Sequence, residues 1–266
     1  MPEGDTVFQA ARRLDAALAG QVLTRTDFRV PRFATLDLSG QRVDDVASRG
    51  KHLLIHVGEL TIHSHLKMEG VWLVFGRGQS WRKPAHQARV VLETADRVAV
   101  GFELGVLEVF PRASESAELE HLGPDLLGPD WDPAESIRRI AAHPAVPIAV
   151  ALLDQRNLAG LGNVFVNELC FLRGVRPQRT VGEVADVAAA VDLGHRLIVA
   201  NRDRTARTTT GLDRQGQRLW VYGRGGQPCR RCGTRIERGE LGRSTSGSII
   251  EDPQLRVIYW CPSCQV

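Results

Sequence analysis

Lysine is the scarcest charge in this 266-residue chain: of its 34 basic residues only Lys51, Lys67 and Lys83 are lysines. So strong a bias toward arginine can come from genome composition alone, so single arginines say little and the rare lysines say more. Long apolar runs are also missing, with none near the roughly 18 residues of a membrane span. The first residues carry Glu3 and Asp5 instead of the basic-then-apolar pattern of a secretory signal. The expectation is a cytoplasmic protein with no membrane partner. In a reducing compartment its five cysteines argue for metal ligation over disulfides, because four of them fall in two close pairs. Internal repeats and low-complexity segments are absent too.

At 43% apolar content the chain is ordinary for a globular protein, and its length admits two domains and an appendage. The formal charge of +3 is unevenly spread: residues 201–266 hold 12 Arg against 6 Asp and Glu, and 113–155 hold 2 Arg against 8. The C-terminal quarter is therefore the part suited to a polyanion.

Val7, Ala11, Leu14 and Leu18 share one helical face, with Gly20 as the stop and Asp5 or Thr6 as the expected cap. Eight short β-rich runs follow: 22–30, 41–49, 52–57, 60–65, 70–75, 88–94, 97–102 and 106–111. Their spacing predicts an antiparallel sandwich or barrel with the first helix laid on it. Residues 113–131 are acidic and broken by Gly and Pro, as in a linker. Helices are expected over 133–142, 147–154, 163–173 (capped by Asn163) and 184–201, and a cysteine-bearing module begins near Gln227. The expected domains are 1–112, 132–226 and 227–266.

Cys229-x-x-Cys232 and Cys261-x-x-Cys264, 28 residues apart, offer four thiolates in the tetrahedral set that zinc favours. A module this small needs such a staple to fold, and four ligands leave no open position for catalysis. Other signals admit two readings each. Pro2 is an ordinary helix lead-in; it is also, once Met1 is removed, a secondary amine beside the Glu3 carboxylate, a nucleophile whose adduct is a cationic iminium as formed. Gly160-Leu161-Gly162-Asn163 is a tight turn, or a set of backbone N–H groups at a helix start that would hold a phosphate. Lys51 after Gly50, and Arg256 near a strand start, are solvated cations or phosphate ligands. Met68, between Lys67 and Glu69 in a loop, is a gap-filler or a wedge between bases. His63 and His65 share a strand face, where hydrogen-bonded structural roles are preferred over metal ligation.

Pro2-Glu3-Gly4, Arg49-Gly50-Lys51-His52-Leu53-Leu54, Leu158 to Val164 with Asn167-Glu168-Leu169, Val221-Tyr222-Gly223-Arg224 and Tyr259 to Gln265 together resemble the Fpg/Nei family of DNA glycosylases/AP lyases. The resemblance runs the length of the chain and is nearest the endonuclease VIII-like branch. It implies an α+β multidomain fold: an antiparallel β-sandwich flanked by helices, a helical domain with a helix-two-turn-helix, and a C-terminal zinc finger.

The same resemblance makes Pro2 the nucleophile and Glu3 the general acid/base. Lys51, Asn163 and Arg256 become phosphate ligands, and Lys67, Met68 and Glu69 the loop that fills the void left by an extruded base. The implied partner is damaged DNA, duplex or single-stranded, bound by a monomer that removes oxidised bases, with pyrimidines favoured. Asp5 and Thr6 stand where the family usually has Pro and Glu, and the finger carries a Gly- and Ser-rich insertion around 239–252. A scaffold that binds damage without catalysis is the alternative.

Overall fold

The computed structural model describes residues 2–242 and 256–266. Met1, whose removal the nucleophile requires, and residues 243–252 of the insertion lie outside the described residues. Helix α1 (Gly4–Leu18) starts earlier than its expected cap. Glu3 has the extended backbone of an N-cap (φ −125°, ψ −175°), and its carbonyl accepts from the N–H groups of Thr6 and Val7 at 3.0 Å. Asp5 is therefore already helical, and its Oδ1 accepts from the backbone N–H (2.7 Å) and hydroxyl (3.2 Å) of its neighbour Thr6.

Eight strands follow: β1 (Arg25–Phe28), β2 (Val43–Arg49), β3 (His52–Val57), β4 (Leu60–His65), β5 (Val71–Gly76), β6 (Ala88–Glu93), β7 (Arg97–Phe102) and β8 (Val106–Pro111). They form two four-stranded antiparallel sheets, ordered β1-β6-β7-β5 and β2-β3-β4-β8. Alternation along the strands sends Leu53, Ile55, Val57 and Ile62 of one sheet, and Val90, Leu92 and Ala99 of the other, into a core shared with Val7, Leu14 and Leu18 of α1. Burial of each such side chain contributes about 1.5–3 kcal/mol. That packing fixes α1, and with it the Pro2-Glu3 pair at its start.

The opposite face of the second sheet is polar. His52 and His56 on β3, Thr61, His63 and His65 on β4, and Glu108 on β8 occupy it in register. The stretch 113–131 contains the short α2 (Glu115–Glu118) and buried Leu119, Leu122 and Leu126. Glu115 Oε2 accepts from the Thr61 hydroxyl and bonds His56 Nε2, both at 2.8 Å, while His56 Nδ1 bonds Asp45 at 2.7 Å. One compact unit ends at His121 and the next begins at Leu122.

The second unit holds α3 (Pro133–Ala141), α4 (Ile148–Leu153), α5 (Asn163–Arg173) and α6 (Val187–Asn201), then the antiparallel pair β9 (Glu237–Leu241) and β10 (Arg256–Trp260). Ile148, Leu152, Phe165, Leu169, Val191 and Ile198 build its core. Helix α6 starts three residues later than expected, because the Asp186 carboxylate caps it by accepting from Ala189 N–H at 2.8 Å. Between α4 and α5 the chain turns twice. The Gln155 amide spans these turns, donating to the carbonyls of Leu153 (2.7 Å) and Leu161 (3.0 Å) and accepting from Gly160 N–H (3.0 Å). Gly160 sits there at φ +118°, a conformation that L side chains rarely adopt. Gly162, not Asn163, occupies the cap position of α5.

Candidate functional site

In the first unit the candidate nucleophile and its carboxylate open α1. Pro2 is half-buried and Glu3 is 0% exposed. A carboxyl group taken wholly out of water is costly to maintain and is kept only where the fold supports it. The N-terminal turn of α1 adds its positive dipole end at the same place.

Two of the three lysines lie at one end of the second sheet. Lys51 sits in the turn that joins β2 to β3, next to Gly50 at φ +58°. Lys67, Met68 and Glu69 form the exposed tip after β4, closed by a hydrogen bond from Gly70 N–H to the Leu66 carbonyl at 2.9 Å. Lys67 is in the left-handed region (φ +52°), and Met68 is 55% exposed. A non-glycine residue at positive φ carries a cost that its surroundings must support, and the neighbouring Met68 is left open to a partner.

Behind these tips lies a histidine cluster. His52 Nδ1 is 2.8 Å from His63 Nε2 in a stacked pair of rings, and His63 Nδ1 is 3.2 Å from Glu108 Oε2. His65 and His121 meet the His52 ring edge-on, and His65 Nδ1 accepts the backbone N–H of Lys67 at 3.0 Å. Burial, reinforced by the neighbouring positive groups, pushes His52 down to about 2 and His65 down to about 4; burial also lowers His63, against the pull of Glu108. The preference for hydrogen bonding over metal ligation at His63 and His65 agrees with this geometry. His63 bonds His52 and Glu108, and His65 accepts from the Lys67 backbone.

In the second unit, Asn163 and Arg256 are brought together. The buried Asn163 amide donates to the Val257 carbonyl at 2.8 Å, one residue from Arg256 at the start of β10. Asn167, one turn on, accepts from Tyr259 N–H at 2.6 Å and donates to the Asn163 carbonyl at 2.6 Å. The two asparagines thus pin β10 to α5. Gly160 N–H donates to the Gln155 side chain at 3.0 Å, as a tight turn requires, and is not offered to an anion.

Glu168, the middle residue of the Asn167-Glu168-Leu169 motif, is 0% exposed. One carboxylate oxygen accepts from Val221 and Tyr222 N–H, both at 2.8 Å. The other accepts from Trp220 N–H at 2.7 Å and from the Thr209 hydroxyl. Burial raises its pKa while these four donors pull it down. The available signal was a lone acid inside the run Val164 to Phe171, whose other polar residue is its neighbour Asn167.

Cys229, Cys232, Cys261 and Cys264 place all four sulfur atoms within 4.8 Å of one another. The Cys229–Cys264 and Cys232–Cys261 separations are 4.0 and 3.4 Å. They bracket the roughly 3.8 Å edge of a tetrahedron with metal–sulfur bonds of about 2.3 Å. Arg231, inside the first knuckle, lies 4.5 Å above the Phe171 ring of α5, and Phe171 stacks on Trp220 at 5.3 Å. The donor set and its size fit a divalent metal held by thiolates alone.

Comparison with known proteins agrees along the whole chain. The N-terminal domain model of formamidopyrimidine-DNA glycosylase matches residues 1–103, and its H2TH domain model matches residues 122–195. A probable endonuclease 8 2 from Streptomyces coelicolor is 56% identical over 100% of this chain and 94% of its own length. A DNA-(apurinic or apyrimidinic site) lyase from Mycolicibacterium smegmatis is 52% identical over 100% and 99%, and an endonuclease 8 from Escherichia coli 33% identical over 100% of both. The fold is also that of MutM in complex with DNA containing carbocyclic 8-oxo-G (TM-score 0.79, 22% identity, 100% of both chains) and of Lactococcus lactis formamidopyrimidine-DNA glycosylase on abasic-site DNA (TM-score 0.77, 22% identity, 99% of both). With that fold, those motifs and relatives at this level of identity, the chain belongs to the Fpg/Nei family of DNA glycosylases, in its endonuclease VIII-like branch.

Proposed function

We propose that this protein is a bifunctional DNA glycosylase and AP lyase of base excision repair. The observation that carries the reading is the wholly buried Glu3 next to Pro2 at the start of α1, in a chain similar over its full length to enzymes named endonuclease 8 and AP lyase. The damaged nucleotide is flipped out, because its sugar carbon is out of reach inside the duplex. Once Met1 is removed, the Pro2 nitrogen lone pair forms a bond to C1′ as the N-glycosyl bond breaks; the base leaves with a proton from Glu3, and the Glu3 carboxylate takes back the proton that the Pro2 nitrogen sheds. Glu3 supplies a proton to the sugar ring oxygen, the ring opens, and the adduct becomes a cationic iminium. That cation acidifies the C2′ hydrogen. Its removal expels the 3′ phosphate, a second elimination expels the 5′ phosphate, and water releases Pro2 from the remaining fragment.

Lys51, Asn163 and Arg256 hold the flanking phosphates, and Lys67, Met68 and Glu69 fill the void in the duplex. Unstacking costs a few kcal/mol, which a wedge such as Met68 offsets. Oxidised pyrimidines are the favoured lesions. Cys229, Cys232, Cys261 and Cys264 hold one zinc ion, which folds the finger and takes no part in the reaction. The protein acts as a cytoplasmic, nucleoid-associated monomer; no helix among the described residues is long and apolar enough to cross a membrane.

Borohydride trapping on a duplex with one abasic site tests the covalent step. The parent is expected to cross-link and Pro2→Gly to lose cross-linking almost entirely. Equal trapping of the two removes Pro2 from the mechanism. Tight binding of that duplex without nicking would instead favour the non-catalytic damage-binding alternative.

A further inference from the structure

His52 and His65 face each other across β3 and β4, and each borders one of the tips that carry a lysine: Lys51 immediately precedes His52, and Lys67 lies two residues beyond His65. In a chain with only three lysines, two therefore sit at the same end of one hairpin over a shared cluster of imidazoles. The hydrogen bonds in that cluster have a direction. Ionised Glu108 can only accept, so His63 donates from Nδ1 and its Nε2 is bare. His52 must then donate from Nδ1 to that bare nitrogen. His65 Nδ1 accepts the Lys67 backbone N–H, so a neutral His65 carries its proton on Nε2.

The contact at His65 bears on a strained residue. Lys67 sits at φ +52°, where an L residue needs support from its surroundings. Its stem also lies over Gly105 so closely that a Cβ there would come within 2.2 Å of Lys67 Cγ, while Gly105 N–H donates to the His65 carbonyl at 3.1 Å. Ring, backbone and glycine thus all bear on the conformation of Lys67.

We propose that His65 is a positioning residue for the Lys67-Met68-Glu69 tip: its bare Nδ1 fixes the left-handed backbone at Lys67, and the chain His52–His63–Glu108 packs against it as a rigid, directional support. A protonated His65 would lose the acceptor and set a positive ring beside Lys51 and Lys67. The inference goes beyond the assignment of the tip as a DNA contact but rests on it.

Two experiments separate the inference from that assignment. In protein labelled with ¹⁵N-histidine, NMR at pH 7 is expected to show His65 as the Nε2–H tautomer. An Nδ1–H tautomer or an imidazolium overturns the proposal whatever the tip does. The second is kinetic, on a duplex with a single abasic site. Lys67→Ala is expected to weaken KM more than kcat, and a parental Lys67→Ala would reject the tip assignment itself. His65→Asn keeps an acceptor near the Nδ1 position, whereas His65→Gln places its amide near Nε2. The Asn variant is expected to stay near the parent and the Gln variant to lose on the order of five- to tenfold in kcat/KM, the loss of about one hydrogen bond. In combination with Lys67→Ala, the part of the His65→Gln effect that acts through the Lys67 side chain should disappear, so the two losses should fall short of additive. Equal losses in both His65 variants, or full additivity with an impaired Lys67→Ala, sink the positioning role. If His65→Gln does not fold, the tautomer measurement on the parent decides alone.

Discussion

Glu168 shows what a single buried charge asks of its surroundings. Its carboxylate accepts four hydrogen bonds, three from consecutive backbone N–H groups of Trp220, Val221 and Tyr222. Removing the acceptor strands those donors away from water. Glu168→Ala is therefore expected to destabilise the fold by about 3 kcal/mol or more. Glu168→Gln should do nearly as badly, since its NH₂ meets donors where it needs acceptors; urea unfolding of both variants checks this, and a Gln variant at parental stability contradicts it. The histidines give a prediction of the opposite kind. His52 and His65 titrate at about 2 and about 4 in the fold, against about 6.5 when exposed. Below about pH 6.5 the unfolded chain takes up protons that the folded one refuses, so stability falls as pH drops toward 4. The slope is on the order of 1 kcal/mol per histidine per pH unit. Unfolding free energies at pH 7, 6 and 5 should show this slope, and His52→Phe should flatten it.

At the scale of elements, the pin between β10 and α5 is the most exposed to a single change. Asn167 accepts from Tyr259 N–H and donates to the Asn163 carbonyl, and Asn163 in turn holds Val257. Asn167→Ala leaves Tyr259 N–H and the Asn163 carbonyl without that partner, and should cost about 2 kcal/mol in stability. If Arg256 grips a phosphate, the same change should also weaken affinity for abasic-site DNA, which a gel-shift titration measures; unchanged affinity would detach the pin from DNA binding. Elements like these were legible in the sequence to different degrees. Strands β3, β4, β7 and β8 match their expected bounds because each is a short β-rich run that stops at clear turns. The start of α1 was misplaced, because capping chemistry pointed to Asp5 or Thr6 whereas the backbone at Glu3 is what turns into the helix. The knuckles were legible from spacing alone. The polar sheet face was not: that Glu115 and His121 fold back onto His56, Thr61 and His52 depends on pairing between residues some 55 to 70 positions apart, which no local pattern encodes. The single acceptor of Lys67 at His65 is equally invisible, because nothing in a sequence announces a positive φ at a lysine.

Across the whole molecule, stability comes from separate sources. The first unit buries a large core between two sheets and α1. The finger has little of its own: beside Phe171 of α5, the buried members of its cluster are Val221, Ile236 and two of the cysteines themselves, Cys229 and Cys261. Four thiols at this spacing oppose one another when they ionise. Burial pushes Cys264 up to about 12 while hydrogen bonds, first from Thr234, draw Cys232 down to about 6. A divalent cation at their centre would satisfy all four as thiolates and replace the missing apolar core. Titration with a thiol-blocking mercurial and a chromogenic chelator is expected to release one zinc per chain. The Trp220 and Trp260 fluorescence should change as the finger loosens, and nicking of abasic-site DNA should fall by at least tenfold with the loss of Arg256 from its place. The β-sheet signal of the first unit should persist, because none of its core residues belongs to the finger. Chelation that melts the sheets, or that leaves DNA binding untouched, would contradict this division of labour. Cys264→Ser should reproduce the chelated state without any reagent.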